Sequence, residues 1–422
     1  MQDVIRARPN PGPLGTATCA RMPFMVTNTM TLGRPFWTFW SATALANVGD
    51  GIRLAAFPLL AASLTANPVG VAAVTAAQAL PWLVTGLLAG SLADRRGART
   101  LLAQADIARV VVLGVLVVAV AMGWASLPLV LLASFLLGVG ETVRDTAAQT
   151  ALPGLVPERL LERANGRLVA GEIVGNEFVG PPVGAALFVA GAALPFATNG
   201  ASLALAVMLV LTLPLSVAAR PPQDAPTHVR QGVVAGLRWL ARHRVLRTLA
   251  LVTAAVAAAD SAWFAVLVLY ATDRLGTGAA GFGVLLGAGA LGGLLGSFLV
   301  DRLVAGRRHR AIITWSLAIT AGIPAVLAVT SQLWAAILVI VVTSGSFAVL
   351  NVTVVSLRQR LVPRELLGRV VAAGRTLSFS AAAAGALLGG VLTATITIEA
   401  TFIFSGLVAV SATIAWWVAS RP

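Results

Sequence analysis

Residues 90–99 read GSLADRRGAR, a short charged break that separates two long apolar runs. Such runs, each about 20 residues long and able to cross a ~30 Å hydrocarbon layer, recur from Phe36 to Val418. Of the 422 residues, 58% are apolar and 11% are charged, whereas roughly 25% are charged in an ordinary soluble domain. The pattern predicts an all-α membrane protein of about twelve transmembrane helices. The predicted spans are 36–64, 69–91, 101–122, 127–149, 166–190, 194–217, 247–271, 280–300, 311–330, 333–356, 370–395 and 399–419.

The basic residues lie almost entirely on one side of the predicted membrane. The formal charge is +14 and all 30 basic residues are arginines, a balance that would also suit a nucleic-acid-binding protein. The arginines, however, cluster in alternate connections, and the opposite connections hold only Arg274, beside Asp273. This asymmetry follows the positive-inside rule. We therefore expect both termini in the cytoplasm, a multi-pass protein of the bacterial inner membrane, and no nucleic-acid partner.

Two polar segments divide the chain. Residues 1–35 are rich in Pro, Gly and Thr and are predicted to form a disordered tail. The longest internal break, 218–246, opens with three prolines and continues with apolar residues on one helical face. It is predicted to be a cytoplasmic linker whose amphipathic helix lies on the membrane surface, although a solvated linker helix fits equally. The linker separates an N-terminal six-helix bundle, 36–217, from a C-terminal one, 247–422.

The two predicted bundles repeat one another when the sequence is shifted by 206 positions. Matches of Pro, Arg and Gly at one offset are stronger evidence of a repeat than apolar matches, because apolar matches arise easily by chance in such an apolar sequence. Because an even number of spans separates the matching connections, the bundles are predicted to be parallel repeats, with substrate bound between them near the midplane. The matches include Gly86, Gly90 and Ser91 with Gly292, Gly296 and Ser297, and Leu155-Val156-Pro157 with Leu361-Val362-Pro363.

With the twelve-span layout, the break at residues 90–99 resembles the loop signature G-x-L-a-D-R-x-G-R-R of the major facilitator superfamily. The resemblance implies the major facilitator fold and a loop that closes the inner face in one conformation. In that superfamily an arginine of the loop pairs with an acid at the inner end of the fourth span. The residue of this chain at the matching position is Asp145. Ala98 stands where the superfamily usually has an arginine, so the arginine that pairs with Asp145 would be Arg95 or Arg99. The alternative is that the arginines of this loop serve only to set the membrane topology. The predicted gate comprises Gly90, Asp94, Arg95, Gly97, Arg99 and Asp145.

The fifth span contains Gly180-Pro181-Pro182-Val183-Gly184-Ala185, which resembles the antiporter motif G-P-x-x-G-G of exporters in that superfamily. The resemblance implies an exporter of the multidrug and siderophore branch. A spacing of four predicts Glu172, Asn176, Gly180 and Gly184 on one helix face. Small residues permit close helix packing and Pro181 removes a backbone hydrogen bond. The alternative is that the motif is simply a helix-packing seam.

Of the carboxyl groups inside the predicted spans, where an ionisable side chain needs a partner, water or a function, four are candidates for proton coupling. Counting about 1.5 Å per residue places three of them near the midplane, and Glu172 lies shallower. Desolvation disfavours the charged form of a carboxyl group, so such a group can load and release a proton as its surroundings change. Asp50 can instead form a fixed ion pair with Arg53, three residues later. The candidates for proton coupling are Glu177, Asp260, Asp50 and Glu172.

These features favour a secondary transporter that uses inward proton flow to expel a small hydrophobic compound. Its expected partners are that compound, protons and the lipid bilayer, and the protein is expected to be monomeric, with no cofactor or metal. The alternatives are an importer or facilitator of a polar solute and a lipid flippase of the same fold. An enzyme is disfavoured, because no convergent His, Asp or Glu residues have acid-base or metal-ligand spacing.

Overall fold

The chain forms a bundle of long helices. The computed structural model describes residues 31–84, 97–214, 238, 241–304, 309–322, 324–362 and 364–420, and these include no strand. Ten spans are single helices: α1 Arg34–Leu64, α2 Pro68–Val84, α3 Ala98–Ala121, α4 Leu127–Ala151, α6 Leu194–Leu211, α7 Arg244–Leu269, α8 Gly278–Val304, α10 Leu333–Leu361, α11 Arg364–Thr395 and α12 Ile398–Ala419. Two further spans are composite, and α7 runs directly into a π-helical turn, Tyr270–Arg274. The segments of α5 are Leu161–Glu172, the π-helical Ile173–Val179 and Gly180–Ala190, and those of α9 are His309–Gly322 and Pro324–Leu327.

The predicted all-helical membrane fold is confirmed. Eleven helices of the described chain are long and apolar enough to cross a membrane, and α2 is described over only 17 residues. The helix bounds agree with the predicted spans to within a few residues at most ends. However, α10 continues to Leu361 and α11 begins already at Arg364, because polar, arginine-rich turns can remain helical where hydropathy no longer marks a span. The predicted tail and most of the predicted linker lie outside the described residues.

The two sides of the bundle differ in how their cores are joined. We call the side where α1 begins and α12 ends the terminal side, and the opposite one the far side. Toward the far side one apolar core unites residues of α1 and α6, such as Phe57 and Phe196, with Tyr270 and Phe402 of the second half of the chain. Toward the terminal side, the described residues of α1–α6 and of α7–α12 form separate cores. The structure is therefore closed on its far side.

Two helix pairs carry most of the contact between α1–α6 and α7–α12: α2 with α11 and α5 with α8. Near the far side both pairs approach closely at small residues. A Cβ atom on Gly283 would lie 2.7 Å from Ala185 Cβ, and one on Gly390 would lie 2.6 Å from Ala72 Cβ. Small residues let helix backbones approach in a membrane, where van der Waals packing drives association. These contacts hold α5 against α8 and α2 against α11.

Candidate functional site

Six charged side chains form one alternating chain of ion pairs between α1, α3 and α4. In order, the chain runs through Glu141, Arg53, Asp50, Arg109, Asp106 and Arg144. Glu141 is 20% exposed and the other five are at most 5% exposed. Three carboxylates balance three guanidinium groups, so this buried set carries no net charge. Such compensation is what allows charges to remain buried.

Further hydrogen bonds extend the ion-pair chain to α2 and to the backbone. Arg53 Nη1 donates to Gln78 Oε1 at 3.3 Å, and Arg144 Nη2 donates to the carbonyl oxygen of Ala42 at 3.2 Å. The stem of Arg109 passes over α4 at Gly140, where a Cβ atom would lie 2.7 Å from Arg109 Cδ. The chain of charges therefore connects α1, α2, α3 and α4, and its members hold one another in place.

Of these six residues, only Asp50 was predicted as a site residue from the sequence. The anticipated pair is present, with Asp50 Oδ1 3.5 Å from Arg53 Nη2, and Arg109 is a second partner. A signal for the whole set exists in the sequence: α1, α3 and α4 each carry an acid followed three residues later by an arginine. These pairs are Asp50 and Arg53, Asp106 and Arg109, and Glu141 and Arg144. Residues three apart share a helix face, so three such faces can meet inside a bundle.

The fifth span departs from the single stripe that the sequence predicted. Between Glu172 and Gly180 the helix is π-helical, and the amide of Gly180 bonds to the carbonyl of Gly175, five residues earlier. Pro181 and Pro182 contribute no amide hydrogen, which loosens the α-helical pattern here. Gly175, rather than Asn176, is therefore the residue buried against α1, where a Cβ atom would lie 2.9 Å from the Val48 amide nitrogen. The predicted grouping of Glu172 and Asn176 with the glycines is wrong for this reason.

The glycines of the antiporter-like motif form a packing seam with α1. A Cβ atom on Gly180 would meet Gly51 Cα and lie 2.6 Å from the Gly175 carbonyl oxygen. One on Gly184 would lie 2.9 Å from Ile52 Cα. Gly51 and Ile52 sit between Asp50 and Arg53. The seam thus fixes α5 against the part of α1 that carries the buried ion pairs.

We expect Gly180→Ala to destabilise the protein by about 1–3 kcal/mol, because the added methyl group must displace backbone atoms in a well-packed contact. The check is the thermal unfolding midpoint of purified protein in detergent. Gly166→Ala, also on α5, is the matched control, since a Cβ atom there has nothing within 4 Å. Equal midpoints for the two variants would contradict a close contact at Gly180.

A cavity of about 270 Å³ lies between α5 and the helices α7, α8 and α10. Its lining is mainly apolar, and two of the predicted carboxyl groups, Glu177 from α5 and Asp260 from α7, contribute to it. Trp263 Nε1 donates to Asp260 Oδ1 at 3.1 Å. Within the described chain neither carboxylate has an ion-pair partner within 4 Å, in contrast to Asp50, which has two. Both groups can therefore exchange a proton without breaking an ion pair.

The predicted inner gate is only partly visible. Gly90, Asp94 and Arg95 lie outside the described residues, and Gly97 has a φ of 75°, which suits the predicted tight turn. Arg99 donates to the carbonyl oxygen of Leu211 instead of meeting Asp145. Asp145 is half-buried in electrostatic range of Arg144, Glu141 and Glu172, and it has no ion pair to another described residue. The predicted pairing of Asp145 with Arg95 stays a prediction.

A family model described as transmembrane secretion effector matches residues 32–421. The multidrug efflux pump Tap of Mycobacterium tuberculosis is 28% identical over 381 residues, covering 87% of this chain and 89% of the relative. Tap of Mycolicibacterium fortuitum is 29% identical over 376 residues, covering 86% and 90%. An uncharacterized MFS-type transporter of Sinorhizobium fredii, y4rN, is 25% identical over 389 residues, covering 89% and 92%.

Solved transporter structures share the fold at low identity. A bacterial homologue of the iron transporter ferroportin, in its inward-facing state, superimposes with a TM-score of 0.73 at 17% identity, covering 93% of this chain and 100% of that one. A variant of the nucleoside transporter NupG gives 0.72 at 13% identity, covering 92% and 100%. At these identities the likeness shows the fold alone.

Proposed function

Because the chain belongs to the transmembrane secretion effector family of the major facilitator superfamily, we propose that it is a proton-coupled exporter of small, largely apolar compounds. The chain is a multi-pass membrane transporter and not an enzyme. The proposal places the terminal side in the cytoplasm, on the strength of the arginine asymmetry. The closed far side then faces outward, and the structure corresponds to a conformation that would take up substrate from the inside.

The observation that carries the proposal is one apolar cavity that contains two carboxylates without ion-pair partners among the described residues. Glu177 belongs to the first predicted bundle and Asp260 to the second. When the bundles rock against each other, the surroundings of both groups change together. Water favours the charged form of a carboxyl group and an apolar cavity favours the neutral form. Proton binding and substrate binding can therefore be coupled through the same space.

The lining also favours an apolar compound over a sugar-like solute. Beside the two carboxylates and Trp263, the polar side chains are few, and an importer of a polar solute needs many hydrogen-bonding groups around it. They are Ser297, Thr343, Ser344 and Asn351. Relatives named as multidrug efflux pumps support the outward direction. The predicted monomer and the two-bundle division at 218–246 are part of the proposal.

We expect Glu177→Gln to abolish uptake into proteoliposomes driven by a pH gradient, because the amide cannot carry a proton. Ethidium and norfloxacin, two fluorescent aromatic compounds of different charge, are suitable probes. Substrate exchange without a gradient should persist in the variant, which separates a loss of coupling from a loss of folding. If both carboxyl groups take part in coupling, Asp260→Asn should likewise lose gradient-driven uptake and keep exchange without a gradient.

The matched control is Glu162→Gln, on the same span and exposed like Glu177, but outside the cavity. It should transport like the unmodified protein. Undiminished gradient-driven transport by Glu177→Gln would remove that residue from the mechanism. Transport that responds to neither a pH gradient nor a membrane potential would exclude proton coupling altogether.

A further inference from the structure

A second cavity, of about 380 Å³, lies between α7, α10 and α11. It adjoins the first cavity, because Phe347 and Asn351 line both. Its charged lining residues are two arginines, Arg358 from α10 and Arg375 from α11, and no acid of the described chain lines it. The acids thus line one cavity and the cations line its neighbour.

The guanidinium group of Arg358 is held in the second cavity without a counterion from the described chain. Arg358 is half-buried, and its side chain has no hydrogen bond or ion pair to another described residue. Its Nη1 lies 3.6 Å from where a Cβ atom on Gly374 would be, so the group rests against α11 beside Arg375. Arg358 lies two residues beyond the predicted span 333–356, and a half-buried guanidinium group without such a counterion is available there to bind an anion.

Arg375 is positioned by aromatic side chains rather than by an acid. Its guanidinium carbon lies 4.4 Å from the ring centre of Trp82 and 5.8 Å from that of Phe379. Stacking of this kind uses the flat face of the group, so the N–H donors at its edge remain available for a planar anion. Glu172 is in electrostatic range of Arg375, but the two form no ion pair within 4 Å.

We propose that Arg358 and Arg375 bind an anionic group, such as a carboxylate, of an exported compound whose apolar part occupies the adjoining cavity. The inference rests on the proposed export function and specifies its substrate class. Paired arginines suit carboxylates and phosphates because their N–H groups match the geometry of these anions. A compound that also carries an amine would find Asp260 and Glu177 in the neighbouring space.

The anion can come from a dissolved compound or from a lipid headgroup, because both offer planar or tetrahedral anionic groups whose oxygens accept hydrogen bonds from arginine. Trp82 of α2 and Phe379 of α11 stack with ring centres 4.9 Å apart and planes 6° apart. This stack bridges α2 and α11 beside Arg375.

The test is equilibrium dialysis of radiolabelled 2-naphthoate and of neutral 2-naphthamide against the full chain in phosphatidylcholine nanodiscs, with no gradient. One charge-assisted hydrogen bond corresponds to about 10-fold to 100-fold tighter binding, so naphthoate should bind at least that much more tightly than naphthamide. We expect Arg358→Gln to lower naphthoate affinity by about 10-fold or more while naphthamide affinity is unchanged. Arg358→Lys should restore part of the preference, because it keeps the charge but not the fork of donors.

Arg247→Gln is the control, since it removes one exposed positive charge away from this cavity, and it should keep the preference. Equal binding of the two ligands by the unmodified protein would overturn the inference without any variant. The inference would also be overturned if Arg358→Gln lowered the affinities for naphthoate and for naphthamide by the same factor. Displacement of naphthoate by phosphatidylglycerol in mixed nanodiscs would assign the arginines to a lipid instead. Proton-driven export can survive each of these results, so this inference and the proposed function can fail separately.

Discussion

Replacing Arg109 by Met is expected to destabilise the folded protein by about 3–5 kcal/mol, the usual cost of removing one partner from a buried ion pair. Arg109 is 1% exposed and stands between Asp50 and Asp106 in the chain of charges. Without it three carboxylates face two guanidinium groups, and one negative charge is left uncompensated. Because a whole protein is stable by only about 5–15 kcal/mol, the variant should survive heating poorly. The measurement is the fraction recovered by size-exclusion chromatography after heating in detergent.

Arg274→Met provides the matched control for Arg109→Met. Arg274 also pairs with an acid, Glu399, at 3.4 Å, but the two side chains are 43% and 30% exposed, so its loss should cost about 0–1 kcal/mol. Adding Asp50→Asn to Arg109→Met should recover part of the stability, because the buried set becomes neutral again. Equal heat stability of the Arg109 and Arg274 variants would contradict a structural role for the buried chain.

Much of the fold could be predicted because the membrane imposes it. Backbone groups inside a bilayer must bond within their own segment, so an apolar run of sufficient length is a helix, and the arginine-rich breaks mark its ends. The π-helical segment Ile173–Val179 was not predicted. A spacing rule assumes a regular helix, and the proline pair at 181 and 182 changes the hydrogen bonding just before it. The buried faces of α5 could therefore not be assigned from a period of four.

The candidate site was predictable in its residue types but not in its pairings. Glu177 and Asp260 stand out in the sequence as acids within apolar runs, and they do line one cavity. Which arginine meets Asp50 depends on how α1 and α3 cross, and residues 59 positions apart give no local signal of contact. The same holds for Trp82 and Phe379, whose stack orients Arg375. Tertiary packing supplies those partners.

A disulfide between α5 and α8 is expected to reduce transport to the level of empty liposomes. Ala185→Cys and Gly283→Cys, with Cys19 replaced by Ser, would place two thiols at the far-side contact. The Cβ position on Gly283 is 2.7 Å from Ala185 Cβ, and a disulfide needs about 3.5–4.5 Å, so the helices must separate by roughly 1 Å. Alternating access requires the far side to open by much more. The oxidised protein should therefore be arrested, and a reductant should restore transport of the same sample.

The control disulfide joins two helices within the first predicted bundle. A Cβ atom on Gly200 would lie 3.7 Å from Leu113 Cβ, a separation well suited to a disulfide, and it links α6 to α3. If the predicted bundles move as units, oxidation of Leu113→Cys/Gly200→Cys should leave its transport unchanged. Full transport by the oxidised α5–α8 variant, with thiol labelling showing complete bond formation, would contradict opening at this contact. Arrest by both disulfides would instead mean that the helices of one bundle also move against each other, which a rigid two-bundle mechanism does not allow.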